Sequence, residues 1–174
     1  MKTFAVTAGH GAGHPGNTWG GYSEALLMTE LRDIVVDKLT QAGHTVRVDG
    51  ARKENMSLKE AVRLIQGTDL AIELHTNAHK PDSAGVEVIA QLSHKAQAQK
   101  LAKAIARVLE IPVRRDGGFF RLETFIEQQG YTPAFVRHGG LIVEVFFQSN
   151  QEELAKYLAR KWLVASAIVG AIAS

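Results

Sequence analysis

Short apolar runs of β character alternate along this chain with longer stretches of helical periodicity. Phe4 to Ala8 is such a run, and it ends in a Gly/Pro-rich loop from Gly9 to Gly21. Ser23 can cap a helix whose apolar positions Leu27/Met28, Leu31, Ile34/Val35 and Leu39 stop at Gly43. Thr45 to Val48 is the next strand candidate, and Ser57 with Glu60 has the spacing of a capping box opening a helix through Ile65. Leu70 to Leu74 is a compact apolar strand, broken only by Glu73. Val86 to Gln91 alternates as a strand, and Ala96 to Leu109 reads as a helix that stops before Pro112. Leu141 to Phe147 is the most β-like run in the chain. A last helix starts near Gln151, with Leu154, Tyr157/Leu158, Trp162, Ala165 and Ile168/Val169 along one face. The stretch from Arg114 to Gly140, punctuated by six residues of Gly or Pro (Gly117, Gly118, Gly130, Pro133, Gly139, Gly140), fits neither period.

Repeated βα alternation implies an α/β fold: an open, mostly parallel sheet flanked by helices on both faces. With 174 residues, 45% of them hydrophobic, the expectation is one domain spanning 1–174 with no separate substrate-anchoring domain. The near balance of 20 basic and 18 acidic residues, and the lack of any basic–aromatic stripe, argue against a nucleic-acid partner. The apolar run from Trp162 to Ala173 is too short to span a bilayer, so no stable membrane insertion is expected. Met1 to His10 lacks the form of a secretory signal, which implies synthesis in the cytoplasm. There is no cysteine, so any transition-metal site must use His and carboxylate ligands.

Active sites in such sheets gather at the carboxyl ends of strands. His10 closes the first strand, His75 closes the Leu70–Leu74 strand, and Glu144 lies inside the Leu141–Phe147 run, while Glu24 falls just past a helix cap. Two imidazoles and a carboxylate make a three-ligand zinc site with a fourth position open. A further carboxylate nearby can move the proton of an attacking water. This reading gives His10, Glu24 and His75 to the metal and Glu144 to proton transfer. Burying Glu144 among Ile142, Val143, Val145 and Phe146 without a partner or a task is costly, and desolvation there raises a carboxyl pKa. Other pairs compete. His75 and His79 share i, i+4 spacing, but Thr76-Asn77-Ala78 lacks the Glu of a helical metalloprotease and Pro81 follows. His10 and His14 have the same spacing across two glycines and before Pro15, which is no helix. His14 and His79 are the remaining histidines best placed to line a cleft, and spacing alone does not fix the ligand set. No G-x-S-x-G is present, and the Gly9–Gly21 loop lacks a G-K-[ST] ending, so serine hydrolysis and phosphate binding lack support.

Three segments, in order, resemble the zinc-dependent N-acetylmuramoyl-L-alanine amidases. They are Val6-Thr7-Ala8-Gly9-His10-Gly11 with Glu24 at a helix start, Ala71-Ile72-Glu73-Leu74-His75-Thr76-Asn77-Ala78, and Leu141-Ile142-Val143-Glu144-Val145-Phe146-Phe147-Gln148-Ser149-Asn150. The resemblance implies one zinc ion on His10, Glu24 and His75, catalysis by Glu144, a substrate contact from Asn77, and a six-stranded sheet between helices. It implies peptidoglycan as substrate, cut between N-acetylmuramic acid and L-alanine. Within the family the chain is most similar to phage lysins or prophage relatives, which act on the cell wall in the periplasm after release. Arg63 falls near a family arginine, Glu73 stands at a position the family usually keeps small or polar, and 94–140 aligns poorly. Two other readings are a peptidoglycan carboxypeptidase and a non-catalytic wall-binding module. The first usually needs His-x-x-Glu, and Gly13 stands third after His10.

Overall fold

The computed structural model describes residues 1–11 and 13–174. In chain order the elements are β1 (Thr3–Ala8), β2 (Thr18–Trp19), β3 (Tyr22–Ser23), α1 (Glu24–Gln41), β4 (Thr45–Val48), α2 (Leu58–Arg63) and β5 (Leu70–Asn77). They continue with β6 (Glu87–Ala90), α3 (Lys95–Leu109), β7 (Phe119–Arg121), α4 (Leu122–Gln129), α5 (Ala134–Arg137), β8 (Leu141–Phe147) and α6 (Gln151–Ala173). The main sheet is six-stranded in the order β4-β1-β5-β8-β6-β7. All its pairings are parallel except β6 with β8.

Side chains alternate across a strand, so each strand serves both faces of the sheet. One face carries Phe4, Val6, Ile72, Leu74, Val88, Leu141 and Val143, which join the buried sides of α1, α3 and α6 in the larger core. Each fully buried Leu or Ile there contributes about 1.5–3 kcal/mol relative to exposure. Tyr157 locks α6 in place, stacking on Phe146 at 4.6 Å and donating its hydroxyl to the Leu27 carbonyl at 3.0 Å. The other face carries Ala5, Ala71, Ile89 and Ile142, under the short helices α2, α4 and α5. This second cover is thin: α2 has six residues and α5 has four. The opening it leaves over the strand ends is where the site forms.

Several local expectations change. Ser23 caps α1 by accepting the Leu26 N–H at 3.2 Å, whereas Ser57 makes no side-chain cap bond to α2. Trp162 does not share the buried stripe of α6. It is 60% exposed, because Val164, Ala165, Ile168, Ala171 and Ile172 set the inward face and turn Trp162 and Leu163 outward. The unassigned 114–140 stretch holds β7, α4 and α5, too short to show a period. No helix among the described residues is long and apolar enough to cross a membrane.

Candidate metal centre

Strand β1 ends at Ala8, and Gly9 continues its line by donating to the Leu74 carbonyl of β5 at 2.7 Å. The chain then turns sharply: His10 takes a left-handed φ of 64°, a conformation that His adopts more readily than branched residues. Asn55 fixes this turn by donating its amide to the carbonyls of Ala8 and His10. The β2–β3 hairpin turns on Gly20 and Gly21, both at positive φ as a two-residue hairpin requires, and delivers the chain to Ser23 and the start of α1. Glu24 thus enters the molecule at a helix N-terminus and is only 1% exposed.

Glu24 is the hub of the site. Its Oε2 lies 3.3 Å from His10 Nε2 and accepts the Asn17 N–H at 3.1 Å. Its Oε1 lies 3.0 Å from His75 Nδ1 and accepts the Thr76 N–H at 2.9 Å. Burial works against the Glu24 charge, but His75 and His10 outweigh it and leave the carboxyl below its ordinary value. His75 is likewise opposed by burial, yet Glu24 and Glu73 hold its imidazole well above the usual pKa. Ligand atoms of His10, Glu24 and His75 all lie within 4.8 Å of one another. A donor set of two imidazole nitrogens and one carboxylate oxygen at this spacing fits zinc. The packing is tailored to the three side chains. A methyl group at Gly16 would meet His10 Cδ2 at 2.6 Å and Glu24 Oε2 at 2.7 Å, and one at Gly9 would collide with the His75 ring.

Glu144 pairs directly across the sheet with His75. Its Oε2 is sealed from solvent and has no hydrogen-bond partner among the described residues. Burial pushes its carboxyl up to about 8, reinforced by Glu24, Glu87 and Glu73 and only partly offset by His75. A carboxyl held near neutrality beside a metal site is suited to exchanging protons with a reactant. In front of His75 opens a cleft of about 560 Å³. Met56, Leu58, Pro133, Phe135 and Ile142 give it an apolar wall, and His10, His14, Glu73, His75 and Tyr131 supply polar groups.

The four residues read as metal and proton-transfer groups therefore converge. Asn77 lies on the same face at the end of β5, its amide donating to Glu87 at 2.9 Å. His14 lines the cleft as expected. His79 is not among the cleft residues; its backbone N–H binds Ser149. Arg63 pairs with Glu60 on the surface and makes no contact with the site. Arg32 is fully buried and clamped by Asp33 and Asp49. Glu73, at a position the family usually keeps small or polar, lies 3.1 Å from His75 Nε2 and steadies the ring with Nδ1 toward Glu24. The sequence reading missed Glu87; a carboxylate inside the apolar run from Val86 to Ala90 was the available signal.

An open α/β sheet with a His–Glu–His cluster at its strand ends and a neighbouring protonatable carboxylate is an arrangement that can hold a metal ion beside a proton carrier. The chain belongs to the N-acetylmuramoyl-L-alanine amidase family, Amidase_3, which it matches over residues 5–174. A structure from Neisseria meningitidis assigned as an N-acetylmuramoyl-L-alanine amidase is 36% identical, with a TM-score of 0.89 over 99% of this chain and 94% of that one. The catalytic domain of CwlV, an amidase from Bacillus (Paenibacillus) polymyxa var. colistinus, shares the fold at 22% identity, with a TM-score of 0.83 covering 99% and 96%. The catalytic domain of the CD27L endolysin shares it at 22% identity, with a TM-score of 0.75 covering 99% and 97%. No curated protein matches the chain. The protein is thus a peptidoglycan amidase.

Proposed function

We propose that His10, Glu24 and His75 hold one zinc ion and that Glu144 is the proton carrier for hydrolysis of the bond between N-acetylmuramic acid and L-alanine. The observation that carries this reading is the convergence of the three ligand atoms within 4.8 Å, with the unpartnered Glu144 carboxyl on the adjoining strand. Zinc at such a site supplies Lewis acidity to a carbonyl and brings the pKa of the attacking water to near 7. The chain's own residues do the rest. Glu144 accepts a proton from the incoming water and delivers it to the departing L-alanine nitrogen. Glu73 holds the His75 ring in the orientation that presents Nδ1 toward Glu24. The apolar wall of Met56, Leu58 and Phe135 limits water around the reacting groups. Asn77, held by Glu87, offers its amide oxygen to the substrate at the rim.

Residues 1–174 are proposed to act as one catalytic domain that reaches its substrate in the cell wall. A lytic role of phage or prophage type is proposed on the likeness to an endolysin catalytic domain, and it is checked by lysis of whole cells when the protein is presented from either side of the envelope. The central test is mass spectrometry of products from purified peptidoglycan, with and without a zinc chelator. Chelator-sensitive release of stem peptides bearing free N-terminal L-alanine, leaving intact glycan strands, is the expected result. New reducing sugar ends, or activity indifferent to chelation with no loss in His10→Ala and His75→Ala, would refute the mechanism.

A further inference from the structure

The row of functional groups on this face of the sheet does not stop at Glu144. Glu144 is the cross-strand partner of His75 on one side and of Glu87 on the other, and direct partners project to the same face. Glu87 is only 3% exposed, and its Oε2 accepts from two guanidiniums, Arg114 Nε at 3.0 Å and Arg115 Nε at 3.1 Å. Its other oxygen accepts from Asn77. One carboxylate thus serves two arginines. Arg114 lies 4.8 Å from the Phe147 ring and donates Nη1 to the Ala84 carbonyl. Arg115 lies 3.9 Å over the Phe120 ring, with its backbone held at a left-handed φ of 51°. Nη2 of Arg114 and both Nη groups of Arg115 have no acceptor among the described residues, and each side chain is 32% exposed. Arg115 thus keeps both Nη groups and Arg114 keeps Nη2 as open donors on guanidiniums fixed by one shared carboxylate, and such donors bind a carboxylate.

Position supports an acidic group of the peptide being cut. Strands lie about 4.8 Å apart, so the step from β5 across β8 to β6 carries the row about 10 Å from His75. In the peptide stem, L-alanine is followed by a glutamate linked through its γ-carboxyl, which leaves the α-carboxylate free. Five extended bonds place that carboxylate about 6–7 Å from the scissile nitrogen. With the scissile bond between the metal cluster and Glu144, and the stem laid along this row beyond the cleft, that carboxylate would reach Glu87 and its arginines.

We propose that Arg114 and Arg115, anchored on Glu87, form an anion subsite for the free α-carboxylate of the residue following L-alanine. The subsite makes the enzyme favour stems carrying that carboxylate over stems in which it is amidated. This rests on the amidase reading above. The test compares two soluble glycan-strand substrates, identical but for free acid or amide at that carbon. The wild-type protein should cleave the free acid with at least about tenfold higher kcat/KM, mostly through KM; two charge-assisted bonds make such a ratio reasonable. Arg115→Gln and Arg114→Gln should depress the free-acid value far more than the amide value, collapsing the ratio toward one, and Arg115→Lys should recover part of it. A wild-type ratio near one, or variants that lower both substrates equally, would overturn the subsite. If one glutamine variant does not fold, the other and Arg115→Lys carry the comparison. Cleavage of neither substrate by the wild-type protein would instead overturn the amidase reading on which the subsite rests.

Discussion

Glu144 should cost the protein stability for the same reason that it serves the reaction. Its carboxyl is raised from 4.5 to about 8, chiefly by burial. The folded state therefore keeps a proton that the unfolded chain releases between these values. Stability linked to this group is full below pH 4.5 and is lost as pH rises through 8. With both pKa values, linkage gives a deficit of about 3 kcal/mol at pH 7 and under about 1 kcal/mol at pH 5. Glu144→Gln keeps the shape and cannot ionise, so it removes that deficit. In chelator-treated protein, urea unfolding should show Glu144→Gln more stable than wild type by about 2–3 kcal/mol at pH 7. The gap should close to within about 1 kcal/mol at pH 5. The same variant should bind zinc and lose about 10²–10⁴-fold in peptidoglycan turnover. A stability difference that does not change between pH 5 and pH 7, or a variant less stable than wild type at pH 7, would show that Glu144 is not the strained acid described here.

Other contacts give sharp expectations of their own. Glu153, 2% exposed, accepts the Gly85 and Phe147 N–H groups at 2.7 Å each. Glu153→Gln turns an amide donor toward one of them and should cost about 1–3 kcal/mol in chemical denaturation; no loss would mean that the β8–α6 junction does not depend on it. Asp49 is 1% exposed and pairs with the fully buried Arg32 at 3.0 Å. Asp49→Ala should destabilise by about 3–5 kcal/mol, and a smaller loss in Arg32→Met/Asp49→Ala than in the single variant would confirm that the stranded charge is the cause. Glu73→Gln should weaken zinc affinity by about 10–100-fold and alter the ring-nitrogen NMR shifts of His75, whereas unchanged shifts would remove Glu73 from the positioning role.

Much of this molecule was legible in the order of its residues. Period-2 and period-3.6 patterns located the core strands and long helices, because burial of one face imposes those periods locally. Glu144 announced itself as a carboxylate in an apolar run. The N-terminal position of Glu24 followed from Ser23, whose capping bond is formed within three residues. What lay beyond local pattern needed the fold. The antiparallel insertion of β8 beside β6 brings Glu144, Glu87 and His75 into one row, and the pairing joins residues 57 positions apart in sequence for Glu87 and Glu144. Glu73 could not be interpreted until His75 was seen leaning on it, and the helices of 114–140 were too short for any period to emerge. Trp162 kept helical spacing with its neighbours yet faces solvent, since the choice of inward face belongs to the surfaces that α6 packs against. A sequence dictates which side chains want burial and where the backbone turns. Which charges then meet, and how strongly they perturb one another, depends on distances of a few ångströms between strands that only the assembled sheet sets.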